Sequence, residues 1–77
     1  MRALSEAGLR VPADVAVIGF DDILVSRFTA PALSTVVQPK EDLAAQTVRL
    51  LLERIADPAL PPRSITLQTR FLSRESD

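Results

Sequence analysis

Cysteine and histidine are both absent from the 77 residues of this chain. With them go disulfides, thiolate nucleophiles, cysteine metal sites, the usual general base and the commonest nitrogen ligand. Neither a metal nor another cofactor is therefore expected. Tryptophan and tyrosine are missing too, and glycine occurs only twice, too few for a glycine-rich phosphate loop. Charge of one sign is never concentrated: nine basic residues stand singly against ten acidic ones, for a net charge of −1. Such scatter carries no electrostatic footprint for nucleic acid or anionic lipid. No apolar run approaches the roughly 20 residues of a membrane span. The opening Met1-Arg2-Ala3-Leu4-Ser5-Glu6 sets an acid where a signal peptide has its apolar centre. The chain reads as cytoplasmic, with no membrane partner.

What is present is an aliphatic composition, 47% hydrophobic with three phenylalanines, ordinary for a folded α/β protein and unlike a disordered one. The length allows one small domain, burying only about 60% of its unfolded surface. The most informative stretch is Val15-Ala16-Val17-Ile18-Gly19-Phe20-Asp21-Asp22. Its unbroken apolar run predicts a parallel strand covered on both faces, with Gly19 letting the chain turn as it leaves the core. It delivers two carboxylates to the lip of a sheet, where open α/β folds bind ligands, so Asp21 is the first candidate for function.

Around this strand the chain alternates helix and strand signals. Met1 to Ala7 reads as the last turns of a helix, with Gly8 at the left-handed position and Leu9 able to touch Leu4. So short a helix needs a partner surface; its missing front suggests that the chain is part of something longer. Val11-Pro12-Ala13-Asp14 is a turn into the strand, and Asp22 can cap a short helical segment through Phe28. After a loop containing Pro31, Thr35 to Gln38 is β-branched enough for a strand, and Pro39 suits the first turn of a helix.

From Lys40 to Ala56, Ala44, Val48, Leu51, Leu52 and Ile55 fall on one helical face. Asp42, Gln46, Arg49 and Glu53 form the polar stripe opposite, and Asp57-Pro58 ends the helix. We read this as a surface helix packed on a sheet, with Leu51, Leu52 and Ile55 in the core. Ser64 to Phe71 alternates as a half-exposed strand near an edge. One complete helix cannot cover both faces of a parallel sheet.

Two runs carry a family resemblance. Gly8-Leu9-Arg10-Val11-Pro12-Ala13-Asp14-Val15-Ala16-Val17-Ile18-Gly19-Phe20-Asp21-Asp22 and Pro31-Ala32-Leu33-Ser34-Thr35-Val36-Val37-Gln38-Pro39 strongly resemble the C-terminal end of the lactose/galactose-repressor (LacI/GalR) family of bacterial transcription regulators. The match continues to Arg74-Glu75-Ser76. The second run is the more discriminating, since a buried strand ending in Phe-Asp also occurs in related periplasmic sugar-binding proteins. The resemblance implies an α/β fold: the C-terminal piece of a two-subdomain, Rossmann-like, type I periplasmic-binding-protein architecture, mostly parallel, with one long amphipathic helix. It implies that residues 1–77 belong to the effector-binding and dimerisation domain, and that operator DNA is bound only through a headpiece these residues do not include. By the same mapping, Gln38-Pro39 and the stretch around Gln68–Phe71 are crossovers at the hinge between subdomains.

The resemblance also assigns roles. Asp21 matches an aspartate that accepts hydrogen bonds from the effector; the plain alternative is a turn-capping acid. Gln38, able to donate and accept, suits a sugar or nucleobase, or else satisfies backbone groups at the hinge. Ile23, Leu24, Val25 and Phe28 correspond to a dimer interface, against burial within the same chain. Asp22 is expected to cap rather than to bind. A magnesium-dependent phosphoryl-transfer site built on Asp21, Asp22 and Lys40 lacks a third ligand and a phosphate loop, so no enzymatic activity is expected. The expected function is therefore sensing of a small sugar or nucleoside-like effector in a homodimeric regulator. A transport-associated sugar-binding protein is one alternative. A free-standing product, self-associating or pairing with a full-length regulator through its apolar faces, is another.

Overall fold

A computed structural model describes residues 1–77. Its elements are α1 (Arg2–Glu6), β1 (Ile18–Phe20), a short 3-10 helix (Leu24–Arg27), β2 (Ser34–Val37), α2 (Lys40–Ala56) and β3 (Arg70–Leu72). They fall into two compact units, one of Met1–Gln38 with Thr69–Asp77, the other Pro39–Gln68. The divisions lie at the two crossovers that the family resemblance implies.

The first unit holds all three strands, in the order β1-β2-β3. β1 and β2 run parallel, with Ile18 opposite Ser34 and Phe20 opposite Val36; β3 joins antiparallel, Val36 facing Phe71. The α/β expectation holds, and the last strand lies at an edge. α1 ends as its sequence predicts. Gly8 adopts φ +78°, its amide bonds Ser5 O at 3.0 Å, and the Leu9 amide bonds Leu4 O at 2.9 Å, the two bonds of a Schellman ending. In the turn that follows, Asp14 Oδ2 accepts from the Arg10 amide at 2.8 Å and from its guanidinium at 3.1 Å.

Three expectations for this unit are corrected. The strands are shorter than the patterns suggested: hydrogen bonding covers only Ile18–Phe20 of Val15–Phe20 and only Arg70–Leu72 near the end of Ser64–Phe71. A strand forms where a ladder partner exists, and β2 offers only four residues. Gly19 does not make the turn. It sits opposite Thr35 within β1, and it is needed because a Cβ there would lie 2.8 Å from Leu33 Cδ2. The turn is made instead by Asp21 and Asp22, both at positive φ, 83° and 49°. Finally, β1 is not covered: Ile18 and Phe20 are more than half exposed, and no apolar side chain of the chain is buried. The fully shielded side chains are polar: Ser26, Ser34, Thr35 and Ser76.

In the second unit α2 spans Lys40–Ala56, the range its periodicity predicts, with Glu41 and Asp42 in its first turn, where the helix dipole favours anions. Asp57 stops it; its carboxylate accepts from the Ala59 amide at 3.1 Å. Glu53 pairs with Arg63 and, at 3.8 Å, with Arg49. Residues Leu50, Glu53, Arg54, Leu60, Pro61, Pro62 and Arg63 line a cavity of about 230 Å³. This unit contains no strand, so α2 has no sheet of its own to pack on. Leu51, Leu52 and Ile55, assigned to the core from their spacing, are 58–66% exposed. The apolar stripe is real; its cover is not among the residues of this unit.

Candidate ligand-binding site

The site grows out of the carboxyl ends of the parallel pair. Asp21 continues β1 by one residue: its amide donates to Val36 O at 2.9 Å, extending the ladder past Phe20. Gln38 follows directly on β2. Two parallel strands ending level with each other bring these residues together although 17 positions separate them, and Gln38 Nε2 donates to Asp21 Oδ1. Because the amide nitrogen faces the carboxylate, Gln38 presents its carbonyl oxygen and Asp21 its second carboxylate oxygen as further acceptors. Both residues are only partly shielded.

Asp22 leaves in another direction. Its amide donates to Thr35 Oγ1 at 3.2 Å, one residue back from the carbonyl that Asp21 meets, so the chain turns back along β2. The expectation that Asp22 caps the following helix is corrected: the residue at the cap position of the 3-10 segment is Ile23, and no side chain caps it. The Asp22 carboxylate instead accepts from Arg74 Nη2 at 2.7 Å, with both side chains 14% exposed. Left-handed conformations cost residues other than glycine about 1–3 kcal/mol each, least for Asp and Asn. Two in succession require support, and the bonds to Val36, Thr35 and Arg74 provide it.

The shielded hydroxyls gather at the entry end of the same two strands. Ser76 Oγ donates to Val17 O at 2.6 Å and accepts from the Ser34 amide at 2.8 Å. Ser34 Oγ donates to Asp77 Oδ1 and accepts from the Arg74 amide at 2.8 Å. Hydrogen bonds from Ser34 and Ser73 hold the Asp77 carboxyl below the usual carboxylate range, and the Arg10 side chain and amide do the same for Asp14. Sequence reasoning did not single out Arg74, Thr35, Ser34 or Ser76 as site-building residues. The one visible signal was a cluster of small hydroxyl residues among apolar strand residues; the partners of Ser34 lie 40 or more positions away and that of Thr35 lies 13 away.

The remaining candidates stand apart from Asp21 and Gln38. Ile23, Leu24, Val25 and Phe28 follow the acids on and around the 3-10 helix and are 55–74% exposed, so residues 1–77 do not themselves bury them. Ser26, between them, is the shielded residue; its carbonyl accepts from Leu33 N at 2.8 Å. No group of three or more Asp or Glu side chains is placed to hold a metal ion. No helix is long and apolar enough to cross a membrane.

A parallel pair with paired polar side chains beyond its carboxyl ends is the layout of ligand-binding α/β domains, and comparison with known proteins makes the class specific. Residues 1–76 match the model of the periplasmic binding protein-like domain. The chain belongs to that family, and its relatives within it are LacI-type regulators. It is 42% identical over 74 residues to the HTH-type transcriptional repressor PurR of Escherichia fergusonii, covering 96% of this chain and 22% of that protein. Among solved structures, the transcriptional regulator CelR in complex with cellobiose superposes with a TM-score of 0.90 at 39% identity, over 99% of this chain and 23% of that one. A LacI family transcriptional regulator from Enterococcus faecalis V583 with bound ribose gives 0.85 at 39% identity, over 97% and 28%. The chain thus spans only 22–28% of the length of these proteins.

Proposed function

We propose that residues 1–77 form the C-terminal part of the effector-binding and dimerisation domain of a cytoplasmic LacI-type transcriptional regulator, and that Asp21 and Gln38 contact its small-molecule effector. The observation that carries this reading is the Gln38–Asp21 hydrogen bond beyond the carboxyl ends of β1 and β2. The pair offers acceptors side by side, so it suits a neutral ligand bringing adjacent donors, such as the hydroxyls of a sugar or the N–H and O–H groups of a nucleoside. An anionic ligand would meet the carboxylate unfavourably. Cellobiose and ribose, bound by the two structural neighbours, are of the favoured kind.

The protein is a sensor rather than an enzyme in this reading. An effector alters operator affinity only through unequal affinity for two conformations. Operator DNA is held by a headpiece outside these 77 residues, and Ile23, Leu24, Val25 and Phe28 join two copies. The relatives are named as regulators, which favours this reading over a transport-associated sugar-binding protein. A helix-turn-helix rather than a signal peptide encoded upstream in the same reading frame would agree with it.

The test is calorimetry on the full-length gene product with ribose and cellobiose, comparing it with Asp21→Ala. Loss of charge-assisted bonds worth about 1.5–3 kcal/mol each weakens effector binding about 10- to 100-fold while operator binding survives. Unchanged effector affinity removes Asp21 from the site.

A further inference from the structure

We infer that Arg74 is a positioning residue for this ligand site, holding the Asp21-Asp22 turn in the conformation that aims the Asp21 carboxylate. The inference rests on the reading of Asp21 as an effector contact, but Arg74 itself makes no hydrogen bond to Asp21 or Gln38. Its guanidinium bridges two segments: Nη2 donates to Asp22 Oδ1 at 2.7 Å and Nη1 to Leu33 O at 2.8 Å. Its own amide is fixed by Ser34 Oγ at 2.8 Å. The fork therefore ties the residue leaving β1 to the residue entering β2 from a strand end 52 positions away.

The need for such a tie lies in the backbone. Asp21 and Asp22 both hold positive φ, a conformation that persists only where the surroundings over-determine it. The Asp21 amide is secured by the β ladder and the Asp22 amide by Thr35, but the Asp22 side chain, largely shielded, has Arg74 as its charged partner. A planar guanidinium can serve both acceptors at once, which a lysine ammonium on a flexible stem cannot do with the same geometry. Removing the fork deletes the 2.7 Å ion pair that a largely shielded carboxylate makes. The turn then relaxes toward ordinary backbone conformations, which carry Asp21 away from Gln38. Apparent affinity falls in proportion to the fraction of molecules that keep the competent turn.

The experiment uses the full-length gene product with ribose and cellobiose as probes. Affinity is measured by calorimetry and amide exchange is followed at Asp21, Asp22 and Gly19, in Arg74→Gln, Arg74→Lys, Asp21→Ala and the Arg74→Gln/Asp21→Ala double variant. The expected result is an affinity loss of about tenfold for Arg74→Gln and a smaller one for Arg74→Lys. The double variant binds no more weakly than Asp21→Ala alone. Exchange accelerates at Asp21 and Asp22 but not at Gly19. A general loss of packing would instead add to the Asp21→Ala effect and speed exchange at all three amides; that outcome, or unchanged exchange at Asp21 and Asp22, overturns the inference. Arg74→Lys keeps the charge and carries the test if Arg74→Gln does not fold. If Asp21→Ala leaves affinity unchanged, the effector reading falls and the inference with it. If Asp21→Ala weakens binding while Arg74→Gln does not, the inference alone falls.

Discussion

The backbone amide of Ser34 donates to the side-chain oxygen of Ser76 at 2.8 Å, and neither residue has any surface exposed to solvent. Ser76 passes the bond on to Val17 O, so one hydroxyl stitches the entry of β2 to the entry of β1. The parallel pair is thus closed by a hydroxyl at one end and by the Asp21–Gln38 bond at the other. Ser76→Ala would strand the Ser34 amide and the Val17 carbonyl in a dry corner, at about 1–3 kcal/mol for each unsatisfied group. The expected outcome is a lower denaturation midpoint for the full-length protein with an unchanged slope, and Ser76→Val should fare no better because it also lacks the donor.

Acid should loosen the same corner. Asp77 has a folded-state pKa below its unfolded value because Ser34 and Ser73 hydrogen-bond its carboxylate. Such a group contributes its full stability above the ordinary carboxylate pKa of about 3.9. The contribution declines as pH falls, since the unfolded chain takes up the proton first, and is gone below the folded pKa. Asp14, held down by Arg10, acts in the same sense. Thermal unfolding followed between about pH 6 and 2 should therefore show a smaller acid-induced drop in Asp77→Asn than in the unaltered protein. Equal drops would remove Asp77 from the linkage.

Phe28 is 74% exposed beside Ile23, Leu24 and Val25. If these side chains join two copies, Phe28→Asp places a charge in an apolar contact and shifts the full-length protein toward monomer in sedimentation at micromolar concentration. Effector affinity should be retained, because none of the four touches Asp21 or Gln38 by hydrogen bonding. A variant that sediments as the unaltered protein does would place the interface elsewhere.

At Gly19 an added methyl would stand 2.8 Å from Leu33 Cδ2. Gly19→Ala should destabilise by no more than about 1 kcal/mol, the low end of the range for overpacking, because a side-chain tip can give way. Because the obstacle is the tip of one side chain, Leu33→Ala in the same molecule should make the added cost of Gly19→Ala vanish. A double-mutant cycle by chemical denaturation measures that coupling.

Local signals were legible wherever the physics is local. The span of α2, the Schellman ending at Gly8 and the halt at Asp57-Pro58 follow from spacing and backbone preference within a few residues, and all three stand as read. The family was legible for a related reason: the runs from Gly8 to Asp22 and from Pro31 to Pro39 each combine strand, turn and polar residues in a particular order. The strands were overestimated because alternation along one segment says nothing about how much partner it will find.

What no linear reading supplies is the set of partners across the chain. Asp22 looked like a helix cap because capping is a short-range habit of aspartate; it became the counter-ion of Arg74 once β3 had come alongside β2. Gly19 looked like a turn residue, but Leu33, just ahead of the neighbouring strand, is what its lack of a side chain serves. Leu51, Leu52 and Ile55 marked an apolar face correctly, yet burial depends on a second surface. Composition and periodicity settle which segments curl, which extend and which side of each is greasy, since those energies act between near neighbours. The pairing of Asp21 with Gln38 and of Ser34 with Ser76 depends on register between distant segments, and that exists only once the sheet has assembled.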